Sequence, residues 1–82
     1  MNILIVEDET KTAQHLRAGL ESAGFSATTA TTGEIGLRKA TANRFDAIVA
    51  DIMLPNMSGL EMVRRLRESN ISTPVLFLSA KA

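Results

Sequence analysis

Three acidic residues, Glu7, Asp8 and Asp51, carry the strongest chemical signal in the sequence. Glu7 and Asp8 follow the apolar run 3–6, and Asp51 follows the largely apolar run 45–50. Acids at the carboxyl ends of buried parallel strands lie in the crevice where open α/β sheets bind ligands. Because three carboxylates at neighbouring strand ends repel one another, either a cation lies between them or one of them stays protonated. The spacing therefore predicts a site for a divalent cation.

The elements that must position these acids alternate between short apolar runs and helical patterns. Strands are predicted at 3–6, 25–30, 46–50 and 75–79, and helices at about 9–23, 31–42 and from 58 onward. The pairs Thr31 with Glu34 and Ser58 with Glu61 are capping-box patterns, which predict the starts of the second and third helices. The second strand is rich in threonine and less apolar, which favours a place at the edge of a sheet.

Apolar spacing also predicts which helix faces are buried. In the first helix, Ala13, Leu16 and Leu20 share one face, and Gly24 is suited to end the helix. The residues expected to be buried in the third helix are Leu60, Val63 and Leu66.

Other helical residues are expected to face solvent. His15 lies off the apolar stripe of the first helix. Lys39 and three arginines of the third helix are interpreted as solvated helix faces rather than a nucleic-acid patch; the arginines are Arg64, Arg65 and Arg67.

The element order βαβαβαβ predicts a doubly wound α/β sheet of parallel strands with helices on both faces. A strand order of 2-1-3-4 would place the switch point between the first and third strands, where the acids stand. Residues 1–82 are read as a single partial domain, truncated after the fourth strand, because a sheet of this kind normally continues with a further helix and strand. The outer edge of the fourth strand would then be open.

Composition excludes several classes of protein. The 82 residues contain nine basic and nine acidic side chains and no cysteine. Without cysteine the chain can form neither a disulfide framework nor a thiolate metal site. The balanced charge provides no global field that favours nucleic acid or anionic membranes. No apolar run approaches the roughly 20 residues of a membrane span, so a soluble, cytoplasmic module is expected.

Three stretches together resemble the receiver domain of two-component response regulators. They are 3–9, 46–59 with its D-x-x-L-P-x-M-S-G pattern, and 74–81. The opening sequence and the helices look most like receivers of the winged-helix transcription-factor subfamily. The resemblance implies a flavodoxin-like fold of which this chain holds the N-terminal part, followed in the full-length protein by a DNA-binding domain.

The resemblance also implies roles for individual residues. Asp51 would be the phosphoacceptor that takes a phosphoryl group from a sensor histidine kinase. Asp8 and Asp51 would ligate Mg²⁺ directly, Met53 through its backbone carbonyl and Glu7 through a water molecule. Ser79 would donate a hydrogen bond to the phosphoryl group and couple it to conformation. A module of this kind is a switch and not an enzyme that acts on other molecules.

The sequence departs from the receiver pattern at its end. The family usually has a lysine and an aromatic switch residue on a fifth strand, and both positions lie beyond Ala82; Lys81 follows the fourth strand and is not that lysine. We therefore expect impaired phosphotransfer in this fragment. We also expect self-association, as a homodimer, through the exposed edge of the fourth strand near Val75 and Phe77, with no contact to nucleic acid or membrane.

Alternative interpretations remain for the acids and for the domain. Asp8 could be the N-cap of the first helix, and Asp51 could form a turn before Pro55. A Mg²⁺-dependent phosphohydrolase with an aspartate nucleophile would place a second acid at position 53, which is Met53. A flavin or nucleotide binder would need a phosphate-cradling loop, which the sequence lacks. The chain could also be an inactive folding or assembly fragment.

Overall fold

Seven elements alternate along residues 1–78, the part of the chain that the computed structural model describes. They are β1 (Asn2–Val6), α1 (Thr10–Ser22), β2 (Ser26–Ala30), α2 (Gly33–Ala42), β3 (Ala47–Asp51), α3 (Gly59–Glu68) and β4 (Val75–Leu78). The four strands pair in parallel in the order β2-β1-β3-β4. This confirms the predicted doubly wound α/β fold and its 2-1-3-4 order.

The main core lies between the sheet and the helices α2 and α3. Leu4 and Val6 of β1 and Ile48 and Ala50 of β3 are buried there, because alternate residues of a strand point to the same face. Ile3 and Ile5 point to the opposite face, where α1 packs on β1 and β2. Since β1 is covered on both faces, it is apolar throughout its buried length, as expected for a central parallel strand.

The faces of α1 and α3 agree only in part with the apolar spacing. In α1, Ala13 is buried while Leu16 and Leu20 are half-buried. In α3, Leu66 is buried and Val63 half-buried, but the prediction for Leu60 is wrong because its side chain is 58% exposed.

The buried stripe of α3 begins one residue earlier than the leucine pattern suggests. Gly59, Met62 and Leu66 face the core, at spacings of three and four residues. Since successive residues of an α-helix are about 100° apart, the residue after Gly59 lies off this stripe. The third helix therefore buries Gly59 and Met62, each one residue before the predicted Leu60 and Val63, and Met62 has no exposed surface.

The helix starts differ from prediction in one case. Ser58 is the N-cap of α3, and its Oγ accepts a hydrogen bond of 3.1 Å from the backbone N–H of Glu61, as expected. For α2 the N-cap is Thr32 rather than Thr31: Thr32 Oγ1 accepts a 3.0 Å bond from the N–H of Ile35. Two adjacent threonines offer the same cap chemistry, and the sequence alone does not separate them.

Lys39 is also placed differently from the prediction. It is half-buried rather than fully solvated, and its Nζ donates a 2.8 Å hydrogen bond to the backbone carbonyl of Thr29 in the edge strand β2. His15, in contrast, is exposed as expected.

The other edge of the sheet is apolar. Among residues 1–78, β4 pairs only with β3, and its side chains Leu76 and Phe77 are 66% and 36% exposed. Within the same residues, no helix combines the length and the apolar character needed to cross a membrane.

Candidate functional site

The structure brings the three predicted acids together. Glu7 and Asp8 follow the last residue of β1, and Asp51 is the last residue of β3; these strands are neighbours with Val6 opposite Ala50. One carboxylate oxygen from each acid lies within 4.8 Å of the other two. We refer to these three side chains as the carboxylate cluster.

Two members of the carboxylate cluster are buried and held by the backbone. Glu7 is 5% exposed and accepts a 3.0 Å bond at Oε2 from the N–H of Glu9. Asp51 is 7% exposed and accepts a 3.0 Å bond at Oδ1 from the N–H of Met53. Asp8 is exposed. Backbone donors thus fix the two buried carboxylates and leave further oxygen lone pairs available to a ligand.

Burial raises the pKa of the Glu7 carboxyl above its usual range. A side-chain hydrogen bond with Asp8 and the negative charges of Asp51 and Asp8 raise it further, while the N–H of Glu9 opposes the shift. The full negative charge of the cluster is therefore unfavourable in the absence of a cation. Carboxylate oxygens are the ligands that Mg²⁺ prefers, so the residues present fit a hard divalent cation.

The cluster opens into a cleft of about 520 Å³. Its lining consists of Glu7, Asp8, Glu9, Thr12, Leu16, Asp51 and Leu78. Within the described chain this lining contains four acids and no basic side chain, so the cleft attracts cations. Thr12 Oγ1 donates a 2.8 Å bond to Glu9 Oε1 and holds the fourth acid at the wall.

The loop after β3 is packed directly against Asp51. The N–H of Gly59 donates a 3.0 Å bond to the carbonyl of Ile52, and a Cβ atom at position 59 would collide with the carbonyl oxygen of Asp51. Asn56 adopts a left-handed conformation with φ of 67°, which asparagine tolerates better than most residues. The sequence pattern gives no sign of this contact between Gly59 and Asp51.

The remaining site predictions have different outcomes. Met53 follows Asp51 by two residues with its side chain 71% exposed, so its contact with Asp51 is through the backbone N–H. Ser79 lies outside the described residues. The N-cap of α1 is Glu9, without a side-chain cap bond. The alternative reading of Asp8 as that N-cap is therefore wrong.

Comparison with known sequences gives a consistent result. The model of the response regulator receiver domain family matches residues 3–82. The transcriptional activator protein IrlR of Burkholderia pseudomallei is 49% identical over 81 residues, which is 99% of this chain and 35% of that protein. The chain thus spans about a third of the length of the curated relatives it matches.

Solved structures agree with the sequence comparison. The receiver domain of the Francisella response regulator 1452 is similar with a TM-score of 0.92 and 36% identity, covering 98% of this chain and 66% of that one. The response regulator TrrA of Thermotoga maritima, solved in complex with Mg²⁺-BeF, has a TM-score of 0.92 and 31% identity, covering 99% and 70%. These matches do not favour a phosphohydrolase. The chain belongs to the response regulator receiver domain family and is homologous to the phosphoacceptor domains of two-component systems.

Proposed function

We propose that Asp51 is the phosphoacceptor of this receiver domain and that a sensor histidine kinase supplies the phosphoryl group. The observation that supports this most directly is the position of Asp51. Its carboxylate is buried at the carboxyl end of β3 and lies in the cleft beside Glu7 and Asp8. A buried carboxylate among other acids, with no described basic partner in the cleft, is suited to react with an electrophilic phosphorus.

In the proposed reaction an oxygen of Asp51 attacks the phosphorus atom of the kinase phosphohistidine. A phosphorus–oxygen bond forms as the phosphorus–nitrogen bond breaks, and the released histidine ring takes up a proton. The N–H of Met53 holds Oδ1 of Asp51, so Oδ2 is the oxygen better placed to attack. Asp51 thereby becomes an aspartyl phosphate.

The carboxylate cluster is proposed to hold Mg²⁺, with Asp8 and Asp51 as direct ligands. Glu7 would act through a bound water, and Met53 would contribute its backbone carbonyl. When bound, the cation supplies positive charge that offsets the repulsion between Asp51 and the phosphoryl oxygens. The Mg²⁺-BeF complex of TrrA and the raised pKa of Glu7 both support this assignment.

Labelling with acetyl phosphate tests the assignment of Asp51. The carboxylate displaces acetate from phosphorus, and intact-mass spectrometry detects the added phosphoryl group in the presence of Mg²⁺. We expect slow labelling of the native chain, in keeping with the impaired phosphotransfer predicted from the sequence, no labelling of Asp51→Asn, and labelling of Asp46→Asn at the native rate. Asp46 precedes the same strand at its other end and is exposed, so it is a matched control. Labelling that persists in Asp51→Asn would contradict the proposal.

We further propose that the full-length protein that contains this domain is a regulator of transcription rather than an enzyme. IrlR is a transcriptional activator, and this chain aligns with about a third of its length. Such lengths support an additional DNA-binding domain in the full-length protein, as the winged-helix resemblance implies. Phosphotransfer from candidate kinases to the purified chain, compared over short reaction times, would identify the cognate partner.

Self-association through the edge of β4 is also proposed. Its supporting observation is the exposure of Leu76 and Phe77 on a strand whose outer edge has no strand partner among residues 1–78. Unpaired apolar edges act as templates for pairing with another chain. A two-fold dimer is the simplest closed assembly that would cover this edge.

Sedimentation equilibrium at micromolar concentrations tests the dimer. We expect a mass of twice 8.8 kDa for the native chain and a shift to monomer for Leu76→Lys. Leu60→Lys is the matched control, because Leu60 is a similarly exposed leucine on α3. A native chain that sediments as a monomer would overturn the proposal.

A further inference from the structure

A second cleft, of about 490 Å³, lies at the opposite end of the sheet from Asp51. It is formed where the amino ends of β1 and β3 meet α2, and it is lined by Asn2, Thr28, Lys39, Asn43, Arg44 and Phe45. Because β1 is five residues long, its two ends are about 13 Å apart. The two clefts are therefore separate sites on one small sheet.

The charge of this second cleft is opposite to that of the first. Among residues 1–78, its lining includes two cations, Lys39 and Arg44, and no acid. Asp46 borders the cleft, because its Oδ2 accepts a 2.7 Å bond from the backbone N–H of the lining residue Asn2. This bond holds the carboxylate but does not neutralise it, so the two cations exceed the neighbouring acid by one charge. The chain as a whole has no net charge, so the positive character is local to this cleft.

The polar groups of the cleft retain capacity to bind a ligand. Lys39 Nζ is fixed by its bond to the carbonyl of Thr29, which uses one of its three donors. Asn43 donates from Nδ2 to the carbonyl of Lys39, and its Oδ1 and second N–H remain outside that bond. The ring of Phe45 packs against the core and gives the cleft an apolar floor.

The neighbouring edge of β2 suits an extended peptide. The backbone groups of Ser26 and Ala30 point toward β1. The N–H of Ser26 donates a hydrogen bond to the carbonyl of Met1, and the carbonyl of Ala30 accepts one from the N–H of Glu7. Backbone groups alternate in direction along a strand, so Ala27 and Thr29 face outward. The Thr29 carbonyl already accepts the hydrogen bond from Lys39. The outward-facing backbone N–H and carbonyl of Ala27 are therefore the groups beside the cleft that an extended peptide could bind.

We propose that this cleft, here called the basic cleft, is a docking site for an acidic peptide segment of a partner protein. Carboxylates of the segment would bind Lys39 and Arg44, with amide and hydroxyl donors from Asn43 and Thr28. A cleft of several hundred Å³ accommodates several residues rather than a single small anion. Two cations fit an acidic peptide better than a nucleic acid, which needs more phosphate contacts.

The position of the basic cleft has a functional consequence. A partner bound there leaves Asp51 and its cleft open, because the two sites lie at opposite ends of β1. Docking would therefore be compatible with metal binding at the carboxylate cluster. The inference does not depend on Asp51 being the phosphoacceptor.

Titration of the ¹⁵N-labelled chain with a hexaglutamate peptide, followed by NMR, tests the proposal. We expect saturable shifts at Lys39, Asn43 and Arg44, no shift at Asp51, and the same affinity with and without Mg²⁺. Raising the salt to about 0.5 M should abolish binding, because exposed charges are then screened. A hexaglutamine peptide is the uncharged control and should not bind.

Variants assign the binding to the basic cleft. Lys39→Gln and Arg44→Gln should each lower the affinity for the hexaglutamate peptide by about fivefold or more, as expected for loss of a charge-assisted contact. Arg38→Gln is the control, because Arg38 is an exposed neighbour of Lys39 that does not line the cleft. This variant should bind the peptide as tightly as the native chain does. Equal weakening in all three variants, absence of saturable shifts, or tighter binding of an eight-nucleotide single strand would each overturn the proposal.

Discussion

Acidic residues occur in two opposite settings in this domain. On the outer face of α3, Glu61 and Glu68 form ion pairs with Arg64, and Glu61 also pairs with Arg65 at 2.8 Å. The carboxylate cluster at the strand ends has no basic side chain in its cleft among the described residues. The same residue type is therefore neutralised on the helix and left uncompensated at the strand ends.

The pKa values reflect this difference. Hydrogen bonds from Arg64 and then Arg65 lower the pKa of Glu61 to about 2, whereas burial raises the pKa of Glu7. Exposed ion pairs contribute little to stability because solvent screens them. The acids of α3 are thus neutralised by neighbouring arginines. The acids of the carboxylate cluster repel one another until a cation or a proton binds.

The largest expected effect concerns metal affinity. Replacing Asp51 or Asp8 by asparagine should lower Mg²⁺ affinity by about 10²-fold, since loss even of groups that orient metal ligands costs 10–100-fold. Glu61→Gln should leave the affinity unchanged because its charge is already compensated. Calorimetric or NMR titration with Mg²⁺ measures these affinities. Similar losses for Glu61→Gln and Asp51→Asn would remove the contrast between the two settings.

The next effect tests how the backbone fixes Asp51. Gly59→Ala should destabilise the domain by about 1–3 kcal/mol, the usual range for overpacking, because the new methyl meets the carbonyl of Asp51. Gly19→Ala is the matched control, since nothing lies within 4 Å of its added methyl in α1. It should stabilise the domain by about 0.5–1 kcal/mol through helix propensity. Urea unfolding of both variants, at equal protein concentration, gives the comparison; equal effects would refute the close contact.

A smaller effect appears in the pH dependence of stability. The folded-state pKa of Glu7 is raised above 4.5, so its contribution to stability is present below about pH 4.5 and is lost as the pH rises through the folded value. Without Mg²⁺, Glu7→Gln should therefore be more stable than the native chain near neutral pH, because glutamine carries no buried charge. The advantage should shrink toward about pH 4. Thermal unfolding at several pH values tests this, and a constant difference would contradict it.

The smallest effect belongs to α3. The pKa of the Glu61 carboxyl should be about 2 in the folded domain. Its favourable contribution to stability is therefore present above its unfolded-state pKa of 4.5 and is lost as the pH falls through about 2. High salt should move the titration midpoint back toward 4.5 because the ion pairs are exposed. Carbon-detected NMR of the Glu61 carboxyl follows both. A midpoint near 4.5 at low salt would show that the pairs do not form.

Much of the fold and of the carboxylate cluster could be predicted because both depend on local sequence patterns, and each pattern specifies a single structural element or position. Apolar runs of strand length, followed by acids, place Glu7, Asp8 and Asp51 at one edge of a parallel sheet. The 2-1-3-4 order came from the general rules of such sheets and from the family resemblance.

Other features could not be predicted because they depend on distances between separate elements. The choice of Met62 over Val63 for the core follows from the rotation of α3 against the sheet, which apolar spacing leaves uncertain by one residue. The bond from Lys39 to Thr29 joins α2 to the edge of β2 and has no sequence signature. The approach of Gly59 to Asp51 is visible only once the loop between β3 and α3 is folded.

That approach has a consequence for how receivers of this type diverge. Only a hydrogen atom fits between residue 59 and the carbonyl of Asp51, so the end of β3 and the first turn of α3 form a single rigid joint. The loop side chains of Met53 and Pro55 are exposed and carry none of this constraint. Substitutions there can alter which partners the surface discriminates while the geometry of the acid stays constant.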